Sequence, residues 1–333
     1  MSTLNTPLRF RRLEIEKPWG GRALERCPGL SLDSTGPVGE TWEIVDRPGE
    51  EVRVAAGPHE GRTLGELMDA HRKDLLGKAP ASAHGRFPLL VKYLDTSAEL
   101  SVQVHPDEES AARVPGAEPK TEAWYFLATT PGGGRVHAGL RAGTTPDAFA
   151  RDAGGRAVLD HLEAWDVAPG QCMVVPGGTV HTIGAGVTLL EVQQNSDTTY
   201  RFWDWDRADA HGAPRETHVE RALDATRYDL PRRAPVAPTF EPAGDGVRRA
   251  PMARTRTFAM NLLEVSARAR LSTGNQFQIY AVERGAGTLA TRDGGSVELA
   301  RGDVWLVPAA TGFHHVEPRG EESLALVQLL HKA

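Results

Sequence analysis

Twice in this chain a strand-sized apolar run is bracketed in the same way: a glycine, five residues, a proline, then a histidine within five or six positions. The stretches are Ala168–His181 (Gly170, Pro176, His181) and Ala300–His314 (Gly302, Pro308, His314). Each reads as a strand, a corner and a strand end, because proline cannot donate to a β ladder and glycine permits the tight turn. A polypeptide that builds this corner in both halves is committed to two related β units rather than to a helical bundle.

The remaining pattern agrees. Beyond residue 254 short strands recur at even spacing over 260–265, 277–284, 287–292, 296–299, 304–308 and 324–330, separated by turns at Gly285, Asp293–Gly295 and Arg301–Asp303. The first half carries strands over 12–21, 40–46, 87–95, 100–105, 120–127, 167–181 and 187–192, with helical material between them. Thr63 and Glu66 form a capping box for a helix that ends near Gly77, Asp107–Arg113 reads as a short helix, and 145–165 as partly helical. Five prolines between Pro231 and Pro251, without periodicity, read as a linker. The domain reading is therefore 1–235, a linker over 236–253, and 254–333.

Chemistry concentrates in the first half. Alternation over Leu100–His105 puts Leu100, Val102 and Val104 on one face of a strand and Ser101, Gln103 and His105 on the other, with Pro106 ending it. A second alternating run puts Lys120, Glu122 and Trp124 on one face, and a third stretch ends in His181. Gln103, His105, Glu122 and His181 make an N/O ligand set of the kind zinc or another divalent metal accepts. Only six of the 38 basic residues are lysines. Lys92 and Lys120 nevertheless sit inside strands, where an ammonium can lose a proton as a guanidinium cannot.

Composition narrows the partners. A net charge of −6 gives no reason to expect nucleic acid or an anionic membrane surface. No apolar run approaches the roughly 20 residues a membrane span needs, and the first residues lack the apolar stretch of a secretion signal. Cys27 and Cys172 are the only cysteines, so neither a disulfide framework nor a cysteine metal site is indicated. The cytoplasm is the expected location.

The two corners resemble the second conserved motif of the cupins, small double-sheet jelly-roll barrels. The resemblance implies a mainly β chain of two cupin barrels, the first enlarged by helical insertions. In the second, the strand Phe277–Arg284 holds no histidine, so His314 and His315 have no evident metal partners and that barrel reads as structural.

A narrower resemblance rests on Ser101-Val-Gln-Val-His-Pro-Asp107, Lys120-Thr-Glu122, Pro176-Gly-Gly-Thr-Val-His181 and Asn195-Ser-Asp-Thr-Thr-Tyr-Arg201. Together with Lys17-Pro-Trp-Gly-Gly21 and Gly39-Glu-Thr-Trp-Glu43, these motifs are similar in order and spacing to the short bacterial type I phosphomannose isomerases. That resemblance implies one zinc ion per chain on Gln103, His105, Glu122 and His181. It also implies interconversion of mannose 6-phosphate and fructose 6-phosphate through an enediol. Arg201 matches the family's active-site arginine, Glu191 is the first candidate for moving the proton with Lys92 beside it, and Ser101 and Lys120 are candidates for holding the sugar phosphate. A monomer or homodimer is expected. Two other classes stay open: another metal-dependent cupin enzyme (an isomerase of an unphosphorylated sugar, or an oxygenase) and a sugar-binding cupin without catalysis.

Overall fold

The computed structural model describes residues 3–132, 134–208 and 212–331. The chain is mainly β, arranged as two facing pairs of antiparallel sheets. In the first pair a six-stranded sheet runs in the order Cys172–Val175, Glu122–Thr129, Val187–Gln194, Leu89–Thr96, Val38–Ile44 and Leu13–Gly21. It faces a five-stranded sheet ordered Leu162–Asp166, Arg135–Leu140, His181–Ile183, Val102–Val104 and Tyr200–Trp203. Trp124, Phe126, Val136, Ile183 and Leu189 fill the space between them. In the second pair an eight-stranded sheet faces a four-stranded one across Tyr280, Val282, Leu289, Trp305 and Val316.

Period-two alternation explains how the pairs join. On the strand Val187–Gln194, Leu189 faces the inner core while Leu190 and Val192 face away. Their face packs against Ile279, Val327 and Leu329 of the eight-stranded sheet. The six-stranded sheet is therefore buried on both sides, which is why 87–95 reads as almost continuously apolar.

The helix Leu64–Leu76 has the expected capping box, with Thr63 Oγ1 accepting from the Glu66 amide at 3.0 Å and Glu66 accepting from the Thr63 amide at 2.7 Å. Asp107 caps Glu108–Ala111 in the same way. Helix Pro146–Asp152, the 3-10 turn Arg156–His161 and helix Val219–Ala225 cover the outer face of the five-stranded sheet through Phe149, Val158 and Ala222. Among the described residues no helix is long and apolar enough to cross a membrane.

Two expectations need correction. The proline-rich stretch is not a linker throughout: Glu241–Gly244 and Val247–Arg254 are strands at the edge of the eight-stranded sheet. Proline is tolerated there because Pro242 lies on the outermost strand and Pro251 lies beside a register shift, where ladder bonds are interrupted. The stretch 145–165 is helical in part, as read, over Pro146–Asp152 and Arg156–His161, and then enters the strand Leu162–Asp166. The halves are also not cleanly sequential, since Leu8–Arg11 crosses over to pair with Val304–Val307, and Arg53–Val54 follows it on the same sheet.

Candidate active site

The site lies on the inner face of the first sheet pair. His181 opens its strand directly opposite Gln103, and Glu122 opens its own strand opposite Val175, the residue before the Pro176 corner. The ligand atoms of His105, Glu122 and His181 all lie within 4.8 Å of one another, and all three residues are buried. His105 Nδ1 meets the Thr198 carbonyl oxygen at 2.9 Å and His181 Nδ1 meets that of Thr179 at 2.9 Å. Carbonyl oxygens only accept, so each Nδ1 carries a proton and each neutral ring turns an Nε2 lone pair inward. Both Nε2 atoms lie 3.3 Å from a Glu122 carboxylate oxygen.

Two lone pairs and a carboxylate facing one another repel unless something positive stands among them. Lys120 partly answers this, its Nζ being 2.8 Å from Glu122 Oε2 and 3.1 Å from His105 Nε2. Burial, reinforced by the Lys120 charge, holds His105 down to about 3 and so keeps it neutral. Burial also lowers His181. For Glu122 burial works toward protonation, but the neighbouring charge of Lys120 chiefly outweighs it and holds the carboxyl well below its ordinary range. The donors are thus presented in the protonation states a divalent cation requires.

Gln103 stands beside the triad with its amide Nε2 3.3 Å from His181 Nε2, while its Oε1 accepts from Ser101 Oγ at 2.9 Å. A half-turn of the amide exchanges nitrogen for oxygen and would aim a ligand atom inward.

A row of alternating charges crosses the six-stranded sheet from this triad. Lys92 Nζ lies 3.3 Å from Glu191 Oε1 and 3.1 Å from Glu40 Oε2, and Lys120 Nζ lies 3.9 Å from Glu191 Oε1. The Trp124 indole donates to Glu191 at 3.0 Å and the Trp42 indole to Glu40 at 2.7 Å. Burial and the nearby negative charge of Glu122 raise Glu191, against the pull of the two lysines. Glu40 behaves oppositely: Lys92 and Lys17 overcome its burial and bring it down to about 2. Two carboxylates in one row are thereby set apart, one firmly ionised and one biased toward holding a proton.

The row opens into a cavity of about 80 Å³ between Trp19, Glu40, Lys92, Ser101, Glu191 and Arg201. Arg201 is opposite Gln103 in the neighbouring strand, and its buried Nε has no hydrogen-bond partner. Burial and the adjacent Arg215 guanidinium both lower its pKa. All nine residues singled out from the sequence therefore meet in one place. Glu40, Trp42 and Arg215 were missed. The first two stand on the Gly39–Glu43 stretch at alternate positions, a signal that was present, whereas nothing near Arg215 distinguishes it from other surface arginines.

The model of the type I phosphomannose isomerase catalytic domain matches residues 12–124. The mannose-6-phosphate isomerase ManA of Bacillus subtilis is 32% identical over 317 residues, 95% of this chain and 97% of that protein. The mannose-6-phosphate isomerase of Streptococcus mutans is 38% identical over 229 residues, 68% of this chain and 70% of that protein. A crystal structure of the Bacillus subtilis mannose 6-phosphate isomerase superposes with a TM-score of 0.86 at 30% identity, covering 97% of this chain and 99% of that one.

Proposed function

Since this chain belongs to the mannose-6-phosphate isomerase family, a family of enzymes, we propose that it interconverts mannose 6-phosphate and fructose 6-phosphate, using one zinc ion, by way of an enediol. The observation that carries this reading is the convergence of two neutral imidazoles and a buried carboxylate within 4.8 Å, beside a carboxylate whose pKa is raised.

The donor set fits zinc: two imidazole nitrogens, one carboxylate and one amide oxygen, with both imidazoles oriented by backbone carbonyls. His105, Glu122, His181 and Gln103 would hold it. A zinc ion held there would supply Lewis acidity toward the sugar carbonyl.

The remaining work falls to this chain's own side chains. Glu191 accepts the proton from the carbon next to the carbonyl and returns it to the other carbon, while the hydroxyl proton changes oxygen. Lys92, held between Glu40 and Glu191, fixes the direction of the Glu191 carboxylate and offsets the charge it gains and loses. Arg201, its Nε free, offers a fork of donors to the oxyanion of the enediol. Ser101 and Lys120 hydrogen-bond the sugar phosphate from the cavity wall. The two cupin barrels, with the metal in the first alone, and a cytoplasmic monomer or homodimer complete the reading.

The test is a coupled assay for fructose 6-phosphate formed from mannose 6-phosphate, on chelated protein and after zinc is returned, with mannose as control. Activity that vanishes on chelation and returns with zinc, for the phosphorylated sugar alone, is expected. Turnover that survives complete removal of metal would refute the zinc reading.

A further inference from the structure

The second sheet pair repeats the site position by position. Val307, just before the Pro308 corner, stands opposite Gln278 as Val175 stands opposite Glu122. His314 stands opposite Leu271 as His181 stands opposite Gln103. Two residues along from Leu271, Thr273 takes the place of His105. Gln328 faces Tyr280 as Glu191 faces Trp124, and Asn261 faces Gln328 as Lys92 faces Glu191.

Finer geometry recurs as well. His314 Nδ1 meets the carbonyl oxygen two residues back, that of Gly312, at 3.1 Å, as His181 meets that of Thr179 at 2.9 Å. The Tyr280 ring lies 5.8 Å from the His314 ring, and the Trp124 ring 5.6 Å from the His181 ring.

What differs is charge. Glu122 is matched by Gln278, Glu191 by Gln328 and Lys92 by Asn261, so these three ionised side chains each have a neutral amide as their counterpart. The amides form their own chain: Asn261 Nδ2 donates to Gln328 Oε1 at 3.0 Å, and Gln328 Nε2 donates to Gln278 Oε1 at 3.0 Å. The Tyr280 hydroxyl lies 2.6 Å from Gln278 Oε1 and 3.1 Å from His314 Nε2, the counterparts of the Glu122 and His181 ligand atoms. Tyr280, His314, Gln278 and Thr273 are all buried. A neutral network has no use for an ion, since a cation brought there would meet no anion to offset its desolvation.

We propose that this cluster is a metal site held shut, in which a tyrosine hydroxyl and an amide replace the ion and its carboxylate. The scaffold of strand, corner and oriented histidine is intact, and a divalent cation of the zinc class will enter once the ligands are restored. The inference rests on reading the first site as a metal centre.

The test uses the full chain with Thr273→His, Gln278→Glu and Tyr280→Phe combined, stripped by chelation, resupplied with zinc and analysed for metal per chain. Wild type is expected to hold one equivalent and the triple variant two. Adding Glu122→Gln to the triple variant should remove one of them and leave the other. A triple variant that keeps isomerase activity and the wild-type circular dichroism, yet binds no more zinc than wild type, overturns the proposal. Failure of the first-site reading looks different, because wild type itself would then hold none. Should the triple variant not fold, Gln278→Glu with Tyr280→Phe keeps the shapes nearly constant and is titrated with cobalt(II). A second equivalent bound at least tenfold more weakly than the first is expected there, and its absence in the folded double variant counts against the proposal in the same way.

Discussion

At the scale of single residues, the two carboxylates flanking Lys92 are shifted in opposite directions by their surroundings. Glu191 is raised by burial beside Glu122 and sits at the cavity wall, as a group that takes and returns a proton should. Glu191→Gln is expected to lower kcat by about 10²–10⁴-fold, the usual worth of a positioned acid-base group, while zinc content stays at the wild-type level. Near-normal turnover with metal bound would assign the proton to another residue. Glu40 is instead held down to about 2 against an ordinary 4.5. Its folded state prefers the ionised form, so the stability it contributes is complete above about pH 4.5 and is lost as pH falls toward 2, roughly 3 kcal/mol in all. Denaturant titrations across that range should show a shallower acid loss for Glu40→Gln than for wild type. An unchanged slope would mean that the Lys92–Glu40 pair does not differ between folded and unfolded states. Glu122, His105 and His181 were legible in the sequence because alternation and two proline corners fix the faces of short strands. Glu40 was not assigned a role: it stands in the Gly39–Glu43 motif, but its pairing with Lys92 is a contact between distant strands that the motif does not state.

At the scale of elements, local rules worked where an element closes on itself. Thr63, Glu66 and Gly77 bracket the helix Leu64–Leu76 as read from the sequence. Gly77 carries more than the helix end: its φ is 62°, and a methyl group there would run into the Asn275 carbonyl oxygen and Ala309. Both belong to the second half, and Lys78 donates to that same Asn275 oxygen at 2.9 Å. Gly77→Ala therefore combines a left-handed backbone with a clash across the two halves. Loss of at least about 1 kcal/mol is expected in urea unfolding, with kcat unchanged, because the helix packs into the core on the face of the six-stranded sheet turned away from the site. Thr63→Ala should cost about 1 kcal/mol through the cap alone. Rules of this kind failed for Glu241–Gly244 and Val247–Arg254, where proline content outweighed pattern. An edge strand needs only one bonded side, so its prolines could not be told from those of a linker.

At the scale of the whole molecule, long-range packing is where a sequence says least, and here it decides how the halves behave. Nothing in Leu8–Arg11 announces that it pairs with Val304–Val307 some 300 residues away, where Arg9 meets Asp303 at 2.7 Å. The same holds for Phe87, packed at a tilt against Phe277 with ring centres 4.6 Å apart, and for Leu190, Val192 and Tyr93, whose face is covered by the eight-stranded sheet. A chain cut at the domain boundary read from sequence, 1–235, would keep every residue of the active site but expose that face and leave Leu8–Arg11 without its principal partner strand. Burial of large apolar side chains there contributes on the order of 2 kcal/mol each, against a total stability of about 5–15 kcal/mol for an ordinary domain. The full chain is therefore expected to unfold in one transition, with circular dichroism, tryptophan fluorescence and loss of isomerase activity coinciding in urea. The 1–235 fragment should aggregate or unfold at markedly lower urea. Two separated transitions in the full chain, with activity tracking only one, would show the halves to be independent and the shared core to be weak. Coincidence would explain why a second half whose polar cluster is neutral is kept at all: it is the other wall of the sheet on which Lys92, Glu191 and Glu122 stand.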